Sequence, residues 1–279
     1  MKRIKNIECI VKTPASCYQK LVLNVGAREM DAWEVSVLLA GGAFAGALNT
    51  LASSGSAITL PLLIVLGVPP GVANGTNRLG VLLGSLSAVI SFQKSGSIPW
   101  RKTFTLSAPL AVGAIIGARA ATYLNDERIQ LTINMAIIAA LVVLVIGSKR
   151  FLFLRESRQN KESIFMLPCI FLVGFWTGFI VLDSATYMIL ALVMLGSMDV
   201  TEANPIKAVF LLFASILSIP IFFLEGQIAL IPGIALALGG AVGSWWAAKV
   251  AIKPWIKRWI YFLLITVVSI ELVGMIIKN

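Results

Sequence analysis

Residues 41–80 read GGAFAGALNTLASSGSAITLPLLIVLGVPPGVANGTNRLG. The apolar run at the start gives way to Asn49-Thr-Leu-Ala-Ser-Ser-Gly-Ser56, a polar stretch of small residues, before apolarity resumes at Ala57. The resumed run, 57–68, is twelve residues long, which as a helix is about 18 Å. A hydrocarbon core is about 30 Å thick and takes about 20 apolar residues to cross. This stretch therefore predicts a helix broken inside the membrane. Bare backbone at that depth is tolerated only where it lines a cavity or is buried in protein. A helix that restarts there presents free N–H groups that attract anions.

The rest of the chain fits that setting. Of its 279 residues, 58% are hydrophobic and 13% charged, and the mean hydropathy is +0.90. Soluble domains are about 45–50% apolar and about 25% charged. The composition excludes disorder, a disulfide scaffold and an ordinary cytosolic enzyme. Apolar segments run at 33–52, 57–68, 73–92, 104–123, 131–147, 164–182, 184–196, 203–224, 228–251 and 257–277. They are apolar throughout rather than alternating, which predicts an all-α polytopic bundle and excludes a transmembrane barrel.

Catalytic chemistry is poorly supplied. His is absent, and Cys9, Cys17 and Cys169 are too far apart for a metal cluster. No Ser–His or Cys–His pair and no His-ligated metal can form. There is no GxxxxGK[ST] run for ATP. The sequence points away from an enzyme, and no cofactor is expected.

The net charge of +10 fits basic cytoplasmic loops better than nucleic-acid binding. The cations cluster as Lys94, Arg101 and Lys102; as Lys149, Arg150, Arg155, Arg158 and Lys161; and as Lys249, Lys253, Lys257 and Arg258. With ten crossings these three loops share one side, the cytoplasmic one, and both termini lie outside. The basic tail at 1–32 opposes that placement unless translation starts at Met30. No cleavable signal is read there.

The two halves resemble each other. GGAFAG, ending at Gly46, compares with VGFWTG, ending at Gly178. Ala73-Asn74 compares with Ala203-Asn204, Gly96 with Gly226, and GAIIG at 113–117 with GGAVG at 239–243. The expected organisation is a basic tail at 1–32, a first transmembrane repeat at 33–147, a basic cytoplasmic linker at 148–163 and a second repeat at 164–279. Five segments per repeat would invert the second half relative to the first. Paired interruptions in such repeats point to a transporter site near the midplane. The second interruption is Leu182-Asp-Ser-Ala-Thr-Tyr187.

Few charges lie in the spans. Arg78 follows Asn74-Gly-Thr-Asn77, and Lys207 follows Asn204-Pro-Ile206. Two cations related by the repeat could converge on one anion; snorkelling at opposite faces is the alternative. Asp183 could carry a coupling proton or cap the helix that follows. The small residues of the break, Ser53, Ser54, Gly55 and Ser56, serve either a site or tight packing. Glu271 reads as a packing or interfacial residue, and Arg119 as a snorkelling one.

The 41–80 run resembles the first-half signature of the sulfite exporter TauE/SafE family of membrane permeases. The likeness lies in Gly46, Ser53–Ser56, Pro61, Gly67, Pro69, Ala73 and a turn at Thr76, Asn77 and Arg78, with Gly96, Gly113 and Gly117 later. It covers about 33–277. The resemblance implies an inner-membrane carrier of sulfur oxyanions and organosulfonates, often outward-directed, with seven to nine predicted spans. On this reading Arg78 and Lys207 supply positive charge. Asn49, Ser53, Ser54, Gly55, Ser56, Asn74, Thr76, Asn77, Ser184 and Asn204 surround the oxyanion, and Asp183 couples. The expected partners are a small anionic solute, the bilayer and a coupling proton; a homo-oligomer is compatible with this. A membrane scaffold and a passive channel are the rival readings.

Overall fold

A computed structural model describes residues 30–51, 55–136 and 164–251, and its described residues contain helices and no strand. The helices are α1 (Ala32–Leu51), α2 (Ser56–Val65), α3 (Pro70–Lys94), α4 (Trp100–Thr122), α5 (Met166–Phe179), α6 (Ser184–Met194), α7 (Val200–Leu224) and α8 (Leu230–Ala251). Residues 126–136 are also helical. Most of the segments at 131–147 and 257–277, the basic linker, Glu271 and the tail lie outside the described residues.

Four helices, α1, α4, α7 and α8, are long and apolar enough to cross a membrane. The apolar helices α2, α5 and α6 have 10, 14 and 11 residues, below the length of a span. Large apolar side chains face outward, among them Phe44, Ile116, Leu172, Leu238, Val242 and Trp246. A soluble surface does not carry such an exterior; a lipid-facing one does. The chain is a multi-pass membrane protein.

Several boundaries differ from expectation, each for a local reason. The segment expected from Ala73 starts at Pro70, because Pro69 and Pro70 set the N-terminus and Asp126 Oδ1 accepts the Gly71 N–H at 2.9 Å. Asn74 to Arg78 are therefore helix and not a turn. The segment expected from Ala203 starts at Val200, where the Asp199 N–H donates to Glu202 Oε2 at 3.3 Å. Asn204-Pro-Ile-Lys207 is likewise helical. The second interruption is shorter and earlier than expected. α5 ends at Phe179, Ile180 is extended, and α6 restarts at Ser184. Arg119 does not snorkel alone; it pairs with Glu225 at 2.5 Å on the exposed ends of α4 and α7.

Equivalent turns have the same geometry. α3 and α7 each end on a left-handed glycine, Gly96 at φ 67° and Gly226 at φ 68°. Ser97 N–H closes on Phe92 O at 3.1 Å, and Gln227 N–H on Phe222 O at 2.8 Å. Gly67 and Ser197, which follow α2 and α6, also share a positive φ.

The first helix of each half packs against the last long helix of the other, α1 on α8 and α5 on α4, while α3 and α7 cross between them. Small residues allow both contacts. Gly42 and Gly46 lie against the α8 backbone at Leu236 and Gly240, and Gly239 and Gly243 against the α1 backbone at Leu39 and Ala43. Likewise Gly113 and Gly117 lie against α5 at Phe171 and Phe175, and Gly174 and Gly178 against α4 at Leu110 and Ala114, all at four-residue spacing. Such spacing lets helix backbones approach closely in lipid. One apolar core forms from Leu110, Ile170, Met188 and Phe210, joining α4 to α7. Another forms from Leu38, Leu63, Val72 and Leu236, joining α1, α2, α3 and α8.

Candidate functional site

The site begins with two helix ends. A helix leaves its last carbonyls without intrahelical partners, and α1 and α5 end inside the bundle. Because α3 is helical from Pro70, Asn74 and Arg78 lie one turn apart on one face. Both reach the end of α5. The Arg78 Nη1 donates to Thr177 O at 3.0 Å and Nη2 to Gly178 O at 2.5 Å; Nη2 also lies 3.5 Å from Phe179 O. Asn74 Nδ2 donates to Phe179 O at 2.9 Å. The guanidinium stacks over the Phe222 ring, 4.4 Å from its centroid.

The second half repeats this at the end of α1. Lys207 Nζ donates to Asn49 O at 2.7 Å and lies 3.5 Å from Thr50 O. Asn204 Nδ2 donates to Thr50 O at 3.0 Å. Arg78 is 0% exposed and Lys207 1%, so neither reaches an aqueous surface and snorkelling does not describe them. They serve two separate carbonyl clusters, one at each break.

A cavity of about 20 Å³ lies beside the first break, lined by Asn49, Gly55, Ser56, Thr59 and Asn77, with Gly46, Gly240 and Ser244 opposite. That is room for about one water-sized group. Asn77 Oδ1 accepts from Thr59 Oγ1 at 2.6 Å, while the buried Asn77 Nδ2 has no partner. Arg78 Nε is also buried without a partner. Buried donors are rarely left unmade, so each marks a place for an acceptor.

The remaining residues of the expected set are dispersed. Thr76 Oγ1 accepts the Ala229 N–H at 2.9 Å, next to the start of α8. Ser184 Oγ donates to Val181 O at 2.9 Å. Asp183 sits at the N-cap position of α6 with φ 53°, buried, and its carbonyl accepts from Thr186 and Tyr187; its side chain makes no capping hydrogen bond. Ser53 and Ser54 lie outside the described residues.

Residues 38–272 match the family described as sulfite exporter TauE/SafE. The chain belongs to that family.

Curated proteins agree. A protein of Sinorhizobium sp named "Probable membrane transporter protein ORF9" is 29% identical over 220 residues, which is 75% of this chain and 83% of that one. A "Probable membrane transporter protein" of Haemophilus influenzae is 27% identical over 77% of this chain and 84% of its own. The "Probable membrane transporter protein YfcA" of Escherichia coli K12 is 26% identical over 75% and 80%. No solved structure matches the chain.

In this TauE/SafE chain, the sequence reading missed two participants. Thr59 orients Asn77, and Phe222 covers Arg78. Phe222 carried a signal, since it stands four residues before Gly226 as Phe92 stands four before Gly96. Thr59 carried none beyond being a hydroxyl in a short apolar helix.

Proposed function

We propose that this chain is a secondary carrier of small anions, with sulfite, organosulfonates and related sulfur oxyanions as substrates, moved outward across a bacterial inner membrane. The work is done by alternating access of two inverted repeats. Arg78 carries this reading. It is a fully buried cation that has carbonyls and an aromatic ring as partners, no carboxylate among the described residues, and an unused Nε–H. A buried charge without a counter-charge is costly. A negatively charged solute offsets that cost.

Asn77 and Ser56, at the start of α2, supply neutral donors, and the α2 N-terminus adds its dipole. Asn49 and Gly55, which line the cavity, belong to the proposed surroundings, with Ser53 and Ser54 included by their place in the sequence. Asn74, Asn204 and Lys207 hold the helix ends, Thr76 and Ser184 stand apart on their own partners, and Asp183 is the proposed coupling acid. The cavity beside the first break holds less than a whole oxyanion, so loading requires α1, α3 and α8 to part. The equivalent turns at Gly96 and Gly226, and the exchange of contacts between halves, support the repeat.

Counterflow in liposomes tests the function. Vesicles preloaded with unlabelled sulfite should accumulate labelled sulfite transiently and saturably, and sulfonates such as sulfoacetate should compete. Absence of flux for every anion fits a scaffold. A conductance far above carrier turnover fits a channel.

A further inference from the structure

The last carbonyls of α1 and α5 carry the negative end of each helix into the bundle. In carriers with broken helices, such ends coordinate a coupling cation. Here both ends are already engaged by side chains from the opposite half. A planar guanidinium covers three carbonyls, Thr177 O to Phe179 O, and an ammonium takes two, Asn49 O and Thr50 O. A forked donor suits the larger set and a point charge the smaller. Each cation is joined by an asparagine amide on the same helix, Asn74 Nδ2 to Phe179 O and Asn204 Nδ2 to Thr50 O. The arrangement occurs twice, and its four donor side chains, Asn74, Arg78, Asn204 and Lys207, are buried.

We propose that Arg78 and Lys207 are tethered counter-cations, each filling a carbonyl cluster of the kind that otherwise collects a free monovalent metal ion. Removing the Lys207 ammonium therefore opens that cluster to a small cation such as sodium or an alkylammonium. Both residues act here as positioning residues: they hold the ends of α1 and α5 against α7 and α3. The flux consequence rests on the carrier reading above: sodium is not the ion that completes these two clusters. The stability consequence does not depend on that reading.

The test is thermal melting of the purified full-length protein in detergent, in choline, sodium or ethylammonium chloride at equal ionic strength. Lys207→Ala should melt roughly 10 °C below the unsubstituted protein in choline. Sodium or ethylammonium should restore at least half of that loss saturably, with no comparable shift for the unsubstituted protein or for Lys207→Arg. Identical melting of Lys207→Ala in all three salts would overturn the proposal. Should Lys207→Ala yield no folded protein, Lys207→Arg and Lys207→Met decide. Folding of the arginine variant alone supports the tethered charge, and equal folding of both overturns it. Anion counterflow by the unsubstituted protein should be unchanged when choline replaces sodium, and sodium-dependent counterflow would count against the proposal. Failure to see any anion flux would remove the carrier reading and leave the melting result standing.

Discussion

Arg78→Gln is expected to lower sulfite counterflow about 100-fold or more, with a fall in melting temperature alongside. The variant removes the charge from a fully buried position and cannot reach all three carbonyls at the end of α5. Breaking a buried charged interaction costs about 3–5 kcal/mol, and about 1.4 kcal/mol is a factor of ten. Arg78→Lys separates charge from geometry. It keeps a cation but loses the fork, so it should retain more flux than Arg78→Gln and less than the unsubstituted protein. Flux of Arg78→Gln equal to that of the unsubstituted protein, in vesicles of matched protein content, would remove Arg78 from the transport path.

Gly243→Val has the other large effect, and it is expected to act on folding alone. A Cβ at Gly243 overlaps the Ala43 carbonyl oxygen, and one at Gly239 overlaps that of Leu39. The obstruction is helix backbone, which cannot step aside as a side chain can. α1 and α8 must separate, at a cost above the roughly 1–3 kcal/mol of ordinary overpacking. Gel filtration after detergent extraction should show little or no monodisperse protein. Gly80→Ala is the control. Its Cβ meets Leu236 Cβ at 3.4 Å, an ordinary contact, so it should extract and melt like the unsubstituted protein. A monodisperse Gly243→Val with unshifted melting would contradict the packing of α1 on α8.

Much of the fold was legible because bilayer thickness is a ruler. Twelve apolar residues after a polar break announce a short helix, and α2 is one. The paired glycines at four-residue spacing were visible as repeats of each other, and they mark the two close helix crossings. The starts of α3 and α7 were misplaced because hydropathy does not register helix that is polar. The missed residues, Pro70-Gly-Val72 and Val200-Thr-Glu202, do not form apolar runs, although Pro70 at N1 was a start signal of another kind. Arg78 and Lys207 were singled out correctly as buried charges. Their partners were invisible in the sequence because those partners are backbone carbonyls, which every residue possesses. Only the termination of α1 and α5 inside the bundle makes them acceptors. Asp183 illustrates the same limit: its left-handed backbone follows from the sharp restart at Ser184, which no residue pattern displays.

The central claim is that the two halves are inverted copies, each closing the broken helix of the other with its own cation. Side-specific labelling tests it most directly. Ser95 and Glu225 occupy equivalent exposed turns at the ends of α3 and α7. In a cysteine-free background, a membrane-impermeant maleimide should reach Ser95→Cys only from the cytoplasmic side and Glu225→Cys only from the opposite side. Labelling of both cysteines from the same side would contradict the inverted arrangement and the site built on it.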